Sequence, residues 1–296
     1  MACDRVVRCT NEDGFFLEFT ETGFIPFLLA GIDGIYDAKN TVYVSENSMI
    51  DGAVYQGSVA KYRNIVLHLK DKSEGDYPKN RDALNRLFKE KSVGTLVFQE
   101  GDADPRKIEY YVESLESDEN YMPRMHQVSL ICPDPFFYDI NASSEQMASW
   151  VGVFTFPFAS PSTGFVFGYK DNSLIKKIQN DFAEDNIGIT IIMSCLGGVT
   201  NPSITHIETN SSIHIGHSGK PFDMIAGDIV TITTATGNKH VTLTRNGVTS
   251  EINHYLTEDS VFMQLMRGSN SFGFGADSGA NNLTITLEYT YKYARA

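Results

Sequence analysis

The sequence has little positive charge for its length. It carries 24 lysine and arginine residues against 37 aspartate and glutamate residues, a formal net charge of −13 at pH 7. A nucleic-acid-binding protein needs clustered basic residues to contact phosphates. The densest basic stretch, residues 79–91, has acids interspersed among its lysines. The composition therefore argues against nucleic-acid binding, and we interpret the acidic excess as a contribution to solubility.

Cysteine and long hydrophobic runs are also scarce. The four cysteines form no CxxC pair, which argues against zinc and thioredoxin-like sites; they are Cys3, Cys9, Cys132 and Cys195. Free thiols are expected in a protein made in the bacterial cytoplasm. The longest apolar run, residues 24–32, contains a proline and falls well short of the ~20 residues of a membrane helix. The charged N-terminus does not resemble a secretory signal.

Aromatic residues are abundant, with 19 Phe and 14 Tyr. Aromatic and β-branched residues favour strands over helices. In the first half, short runs bounded by turn-forming residues predict strands, with an antiparallel hairpin turning at residues 100–105. The predicted strands cover residues 5–8, 15–19, 41–44, 62–69, 95–98, 108–112 and 127–132. The polar stretch that begins at Ser45 and ends at Gly57 is predicted to be a loop that packs on a neighbouring subunit.

One helix is predicted, over residues 78–91. Its apolar stripe consists of Ala83, Leu84, Leu87 and Phe88. Pro78 suits the first turn, and Gly94 is interpreted as the stop signal.

Proline marks the predicted domain boundary. The strand that ends at Cys132 runs into Pro133 and Pro135, and proline cannot donate to a strand ladder. We therefore predict a β-rich domain over residues 1–140, a linker over 141–150 and a second domain over 151–296. The aromatic residues Phe136, Phe137 and Tyr138 are predicted to fill the junction between the domains. Trp150 is predicted to pack on the phenylalanine-rich segment that follows it.

The second half carries almost only strand and turn signals, which predicts a β-sandwich. Predicted strands cover residues 154–158, 164–168, 187–193, 212–216, 228–234, 239–244 and 282–293. The last of these alternates regularly from Leu283 to Tyr293. A turn is predicted at residues 268–270, before the strand of Phe272 and Phe274. Gly227 and Asp228 are likewise predicted to form a turn, because the several closely spaced oxygen ligands of a calcium loop are missing.

The chain resembles the siphophage distal tail protein family over nearly its whole length. In the first half the resemblance lies in the order of the Arg63 strand, the helix, Gly94, the hairpin and the sequence DPFFY at 134–138. In the second half the shared pieces are FPF (156–158), GFVFG (164–168), NP (201–202), AGDIVTITT (226–234), NHYL (253–256), SVFMQL (260–265) and GSN (268–270).

This resemblance implies a fold and a role. The first domain is expected to form a hexameric ring that caps the tail tube and holds the tail-tip or receptor-binding proteins. The second domain is expected to be a peripheral sandwich, similar to galectins and carbohydrate-binding modules. The expected partners are other copies of the chain, the tail tube protein and tail-tip proteins, at the tail tip of a virion.

No catalytic, cofactor-binding or metal site is predicted. His214 and His217 form the only close histidine pair, and an offset of three on a strand points them to opposite faces. Two alternatives remain open. A glycan-binding module would show exposed aromatic residues lining a groove in the second domain. A tail-associated hydrolase would show a cleft with paired carboxylates or a metal.

Overall fold

The computed structural model describes residues 4–22, 26–37, 39–46, 51–71, 76–118, 123–147, 149–152, 168–171, 175–181 and 186–296, with only the backbone pairing described for 149–152 and 168–171. The first half contains β1 (Arg5–Asn11), β2 (Phe16–Thr20), β3 (Phe27–Asp33), β4 (Asn40–Glu46), β5 (Ala53–Ala60), β6 (Arg63–Asp71), α1 (Tyr77–Leu87), β7 (Val93–Glu100), β8 (Arg106–Asp118), β9 (Arg124–Cys132) and β10 (Phe137–Asp139).

The second half contains β11 (Ser143–Gln146), β12 (Ser149–Gly152), β13 (Gly168–Asp171), β14 (Ile175–Asn180), β15 (Ile187–Cys195), β16 (Val199–His206), β17 (Ser211–His214), β18 (Asp223–Met224), β19 (Ile229–Ala235), β20 (Asn238–Arg245), β21 (Val248–Glu251), β22 (Gln264–Leu265), β23 (Gly268–Ser278), β24 (Leu283–Tyr289) and β25 (Lys292–Tyr293). Two 3₁₀ turns lie at Asn253–Tyr255 and Ala280–Asn282. No helix among the described residues is long and apolar enough to span a membrane.

The chain forms two compact units. The first comprises residues 1–140 together with 292–296, and the second comprises residues 141–291. The predicted domain limits therefore need two corrections. Residues 143–146, predicted as linker, form β11 and pair with β24. Residues 292–293, predicted as part of the last sandwich strand, form β25 and pair with β10 in the first unit.

The first unit is a closed barrel. Its strand order is β8-β7-β1-β2-β3-β6-β9, and β9 pairs back onto β8, so the sheet has no free ends around this circuit. Inward-facing and outward-facing residues alternate along the barrel strands. On β6, for example, Ile65, Leu67 and Leu69 are fully buried in the barrel core, while the residues between them face outward. β10 and β25 extend the sheet from β8.

Helix α1 packs into the barrel core through its apolar stripe. Leu84 and Leu87 are buried, and Phe88, the residue after the helix, lies 6.2 Å from the ring of Phe19 and 6.2 Å from that of Tyr110. The predicted helix is confirmed, but it ends at Leu87, because residues 89–92 turn the chain into β7. Gly94, predicted as a stop signal, is instead the second residue of β7.

The second unit is a β-sandwich, as predicted. One sheet has the order β11-β24-β15-β19-β20-β21, with β22 beside β15, and the other has the order β14-β23-β16-β17, with β18 beside β16. The inward residues of both sheets share one core; examples are Ile191 and Leu287 from the first, and Ile204 and Phe272 from the second. β12 and β13 form a separate pair. The strand predictions at 154–158 and 164–167 lie outside the described residues.

Several smaller predictions are settled by the side chains. The turn at Gly227 and Asp228 is confirmed, with Gly227 at a φ of +91° and Asp228 bonded to Arg245. The turn predicted at 268–270 is wrong, because β23 already begins at Gly268. The prediction that Phe137 fills the junction between the domains is also wrong, because its side chain is fully buried in the core of the first unit. The side chain of Trp150 lies outside the described residues.

Candidate assembly surface

The most unusual feature of the first unit is a two-stranded hairpin that stands apart from the barrel. β4 and β5 pair only with each other among the described residues. The register pairs Tyr43 with Gly57 and Val44 with Tyr55, with a bulge between these two pairs. We call residues 40–60 the arm. The prediction of a loop at 45–57 is therefore wrong, because β4 reaches Glu46 and β5 begins at Ala53.

The arm exposes large apolar side chains on both of its faces. One face carries Val42, Val44 and Tyr55, and the other carries Tyr43, Val54 and Val59. The exposed fractions run from 53% at Val44 to 64% at Val54. An isolated two-stranded hairpin is marginally stable in water, and contiguous exposed apolar surface marks an interaction site. The arm is therefore a surface that gains stability when another surface covers it.

The arm also lacks the usual protection of an exposed sheet edge. Natural edge strands are blunted by lysine, proline or inward-pointing charge. Between Asn40 and Ala60 the sequence contains no lysine, arginine or proline, and its two charged residues are Glu46 and Asp51. No further strand among the described residues pairs with either outer edge of the arm.

Arg63 anchors the base of the arm to two other segments. Its side chain is 5% exposed, and its guanidinium donates to the carbonyl oxygens of Gly34 (2.5 Å), Ile35 (2.9 Å) and Pro135 (2.8 Å), and also to that of Ala294. Burial lowers the pKa of Arg63 from its ordinary value, while Cys132 and Asp37 oppose that shift. This bonding holds together the turn before the arm, the segment after β9 and the C-terminal end.

A small polar cavity of about 140 Å³ lies beside this anchor. Asp33, Asp37, Lys39 and Lys61 line it, and Asp33 also lies 2.9 Å from His68. The cavity is large enough for one inserted side chain or a few waters. It therefore offers a polar contact point at the base of the arm rather than a substrate pocket.

The described part of the chain contains neither a cluster of metal-binding side chains nor an exposed cysteine thiol. Within those residues no group of three or more histidine, cysteine, aspartate or glutamate side chains is placed to hold a metal. The thiols of Cys9, Cys132 and Cys195 are buried, and burial raises the pKa of Cys132 to about 12, so it is not a thiolate nucleophile at neutral pH. Cys3 lies outside the described residues.

The alternative of a glycan-binding sandwich receives no support from the described surface. In the second unit, the large apolar side chains that are well exposed among the described residues are all aliphatic: Ile175, Leu196, Ile207, Ile225, Ile229, Val248 and Val261. Sugar recognition through stacking needs an exposed aromatic ring. Glycan binding stays a prediction.

Sequence reasoning predicted the first strand of the arm, at residues 41–44, but missed its partner β5, although the signal for that strand was present. Residues 42–44 read Val-Tyr-Val and residues 53–55 read Ala-Val-Tyr, both strand-forming triplets on either side of a polar segment. The prediction gave more weight to the polar residues between them. Together, the closed barrel, the exposed apolar arm and the β-sandwich favour a protein that assembles with other chains.

Comparison with known proteins agrees with that class. Residues 183–293 match the family model of the siphovirus-type tail component, C-terminal domain. The predicted resemblance to siphophage distal tail proteins is confirmed by this match. No curated protein matches the chain.

Solved structures match the fold along the whole chain. The phage SPP1 Dit protein, described as a paradigm of the hub adsorption apparatus in phages that infect Gram-positive bacteria, matches with a TM-score of 0.66 at 13% identity, covering 97% of this chain and 99% of that one. A chain of the phage P2 baseplate in its activated conformation with calcium matches with a TM-score of 0.52 at 12% identity and full coverage of both chains. The corresponding baseplate with strontium also gives a TM-score of 0.52 at 12% identity, covering 99% of each chain.

Proposed function

We propose that this chain is a distal tail protein that forms a ring hub at the end of a siphophage tail. The first unit supplies the ring, which joins the tail tube to the tail tip or receptor-binding proteins. The chain is made in the host cytoplasm and acts in the virion, as a structural protein rather than an enzyme.

The observation that carries the proposal is the arm. Six large apolar side chains are more than half exposed on a hairpin that no other described element supports. A contact between this arm and a different surface on the next copy is heterologous, and such contacts generate a ring when the rotation closes. Interfaces of permanent assemblies are large and apolar, which matches the composition of the arm. Six copies follow from the family resemblance.

Serine substitution on the arm tests the proposal. One variant changes Val42, Val44 and Tyr55 on the first face, and a second changes Tyr43, Val54 and Val59 on the other. At least one of them is expected to convert the ring to protomers in sedimentation velocity. The matched control changes Leu196, Ile225 and Val248, which are 51–70% exposed on the second unit, and is expected to leave the ring intact. Rings of unchanged size in both arm variants would contradict the proposal.

A further inference from the structure

Residues 292–296 belong to the first unit, although they follow the second unit in sequence. Their strand, β25, pairs with β10 and places Tyr293 opposite Phe137, a fully buried residue of the barrel core. Ala296 also packs against that core. We call residues 292–296 the clasp. The first unit is therefore completed by a segment that the whole second unit separates from the rest of it.

The clasp is held by several modest contacts. The guanidinium of Arg106 lies 3.8 Å from the ring centroid of Tyr293 and donates to the carbonyl of Arg295 at 2.6 Å. Lys292 Nζ lies 4.0 Å from the ring centroid of Phe136. Cation–π contacts at exposed sites are individually weak. The clasp therefore depends on their sum and on its strand pairing with β10.

The clasp also supplies one of the acceptors of Arg63. The guanidinium donates through Nη1 to the carbonyls of Gly34 (2.5 Å) and Ile35 (2.9 Å), and through Nη2 to that of Ala294 in the clasp. Arg63 is 5% exposed, so little water reaches a donor that has lost its acceptor. A buried cation with an unmatched donor is destabilised. Removal of the clasp therefore favours movement of the guanidinium away from Gly34 and Ile35.

Both chain segments that bound the arm depend on this guanidinium. The turn bonded at Gly34 and Ile35 leads into β4, and β6 begins at Arg63 itself, directly after the arm. The N–H of Lys61 donates to the carbonyl of Lys39 at 3.0 Å and closes the base of the arm. The clasp is therefore bonded, through one side chain, to the segments that set where the arm leaves the barrel.

Folding of the second unit makes it easier to seat the clasp. The second unit covers residues 141–291, and its strands β11 and β24 pair so that Ser143 lies opposite Tyr289. The two ends of the unit are thus brought together by its own fold. Joining two segments across an unfolded stretch costs loop-closure entropy that rises with the length of the stretch. With the second unit folded, only a few residues separate the paired ends from β10 and β25.

We propose that the clasp couples folding of the second unit to assembly of the ring. A seated clasp holds Arg63, and Arg63 holds the arm in the position that binds the next copy. A chain whose second unit is unfolded loses the clasp, carries a loosely held arm and stays out of the ring. This inference rests on the proposed ring and adds a condition for its formation.

Replacement of the clasp tests its link to the arm. The variant has Lys292–Ala296 changed to alternating glycine and serine, which keeps the chain length. Ring assembly in sedimentation velocity is expected to weaken about tenfold or more, and amide hydrogen exchange of residues 34–37 and 53–60 in dilute protomers to become about tenfold faster, with β1 and β7 unchanged. The control makes the same change at Val248–Glu251, the exposed edge strand β21 of the second unit, and is expected to alter neither readout.

A disulfide tests the coupling to the second unit. Ile191→Ala with Leu287→Ala leaves a cavity in the sandwich core, where both side chains are fully buried, and destabilises the second unit. This variant is expected to lose its rings at the temperature at which the second unit unfolds. Adding Tyr138→Cys and Lys292→Cys, at opposite positions of β10 and β25, is expected to restore the rings on oxidation and to lose them again on reduction.

These measurements distinguish the clasp from the ring. Rings of normal strength after clasp replacement, or no restoration by the disulfide, would overturn the coupling. Equally accelerated exchange throughout the barrel of the clasp variant would also overturn it, because the segment would then stabilise the whole fold rather than the arm. Absence of rings in the unmodified protein would instead overturn the proposed function.

Discussion

Arg63 donates a hydrogen bond to the carbonyl of Ala294, a residue 231 positions further along the chain. Through this bond the last residues of the polypeptide belong to the first unit, although the residues immediately before them belong to the second. The same guanidinium binds the turn that leads into the arm. One buried cation therefore organises the base of the proposed assembly surface.

Replacing Arg63 is expected to be severe. Arg63→Met keeps much of the side-chain volume but leaves four carbonyl groups without their donor, so we expect a loss of about 3–5 kcal/mol in the free energy of unfolding measured in urea. Arg106→Met is the control. Arg106 also donates to a backbone carbonyl, that of Arg295 at 2.6 Å, but the bond is exposed, and we expect a loss of about 1 kcal/mol or less. Equal losses in the two variants would refute the anchor role.

Gly94 is expected to tolerate no side chain. A Cβ built there would lie 2.4 Å from the carbonyl oxygen of Thr10 and 2.4 Å from the ring of Tyr110. Gly94→Ala should lower the free energy of unfolding by about 3 kcal/mol, because backbone and a packed ring have to move. At Gly31 the nearest atom to a new Cβ, in His68, lies at an ordinary 3.6 Å, so Gly31→Ala should have a small effect. Equal urea midpoints for Gly94→Ala and Gly31→Ala would contradict the prediction that only Gly94 excludes a side chain.

The pair Asp228–Arg245 is expected to make the second unit sensitive to acid. Asp228 is 2% exposed and accepts two bonds from Arg245 Nε, at 2.9 and 3.1 Å. These bonds hold the pKa of Asp228 below its ordinary value. Because the folded pKa is lowered, the stabilisation is fully present above the unfolded pKa of about 3.9 and is lost as the pH falls through the folded value.

Asp228→Asn tests this dependence. It should cost about 2 kcal/mol at pH 7, discounted because Arg245 is 40% exposed, and should flatten the stability curve below pH 4. Chemical denaturation across pH 2–7 checks both points. Asp223→Asn, which changes an exposed carboxylate, should leave the loss of stability below pH 4 unchanged. If Asp228→Asn and the unmodified protein lose stability equally below pH 4, the Asp228–Arg245 pair is not the cause of that loss.

His206 is expected to give a second, milder pH dependence. Its ring is fully buried, stacks on Phe272 with centroids 4.8 Å apart, and places Nδ1 2.8 Å from the hydroxyl of Thr209. Burial lowers the pKa of His206, although Glu208 opposes the shift. The unfolded chain therefore takes up the proton first, so stability is full above about pH 6.5 and falls as the pH drops toward the folded pKa.

The melting temperature of the full chain between pH 7.5 and 5 measures this effect. His206→Gln should flatten the decline, whereas His214→Gln, on an exposed position of β17, should not. If the melting temperature falls equally steeply with pH in the unmodified protein and in both variants, His206 is not the cause of the decline.

The regular strands were predictable because their alternation is strong. β6, β15 and β24 each bury every second residue, and the sequence shows that period directly. β3 was missed, since its buried residues Phe27, Leu28 and Leu29 run consecutively and carry no alternation. Its partners are distant in sequence, so only the closed barrel explains why that run is a strand.

The ends of elements were less predictable than their existence. The alternation from Leu283 to Tyr293 continues across two strands that belong to different units, because β24 ends at Tyr289 and β25 begins at Lys292. Nothing local marks that change, since it depends on the pairing of β25 with β10.

The mass of the purified protein in solution, measured by light scattering over a range of concentrations, tests the ring most directly. The account predicts a particle of fixed mass near six times the 32.9 kDa of one chain, with no further growth as concentration rises. A mass of one chain at every concentration would contradict it, and so would open-ended growth.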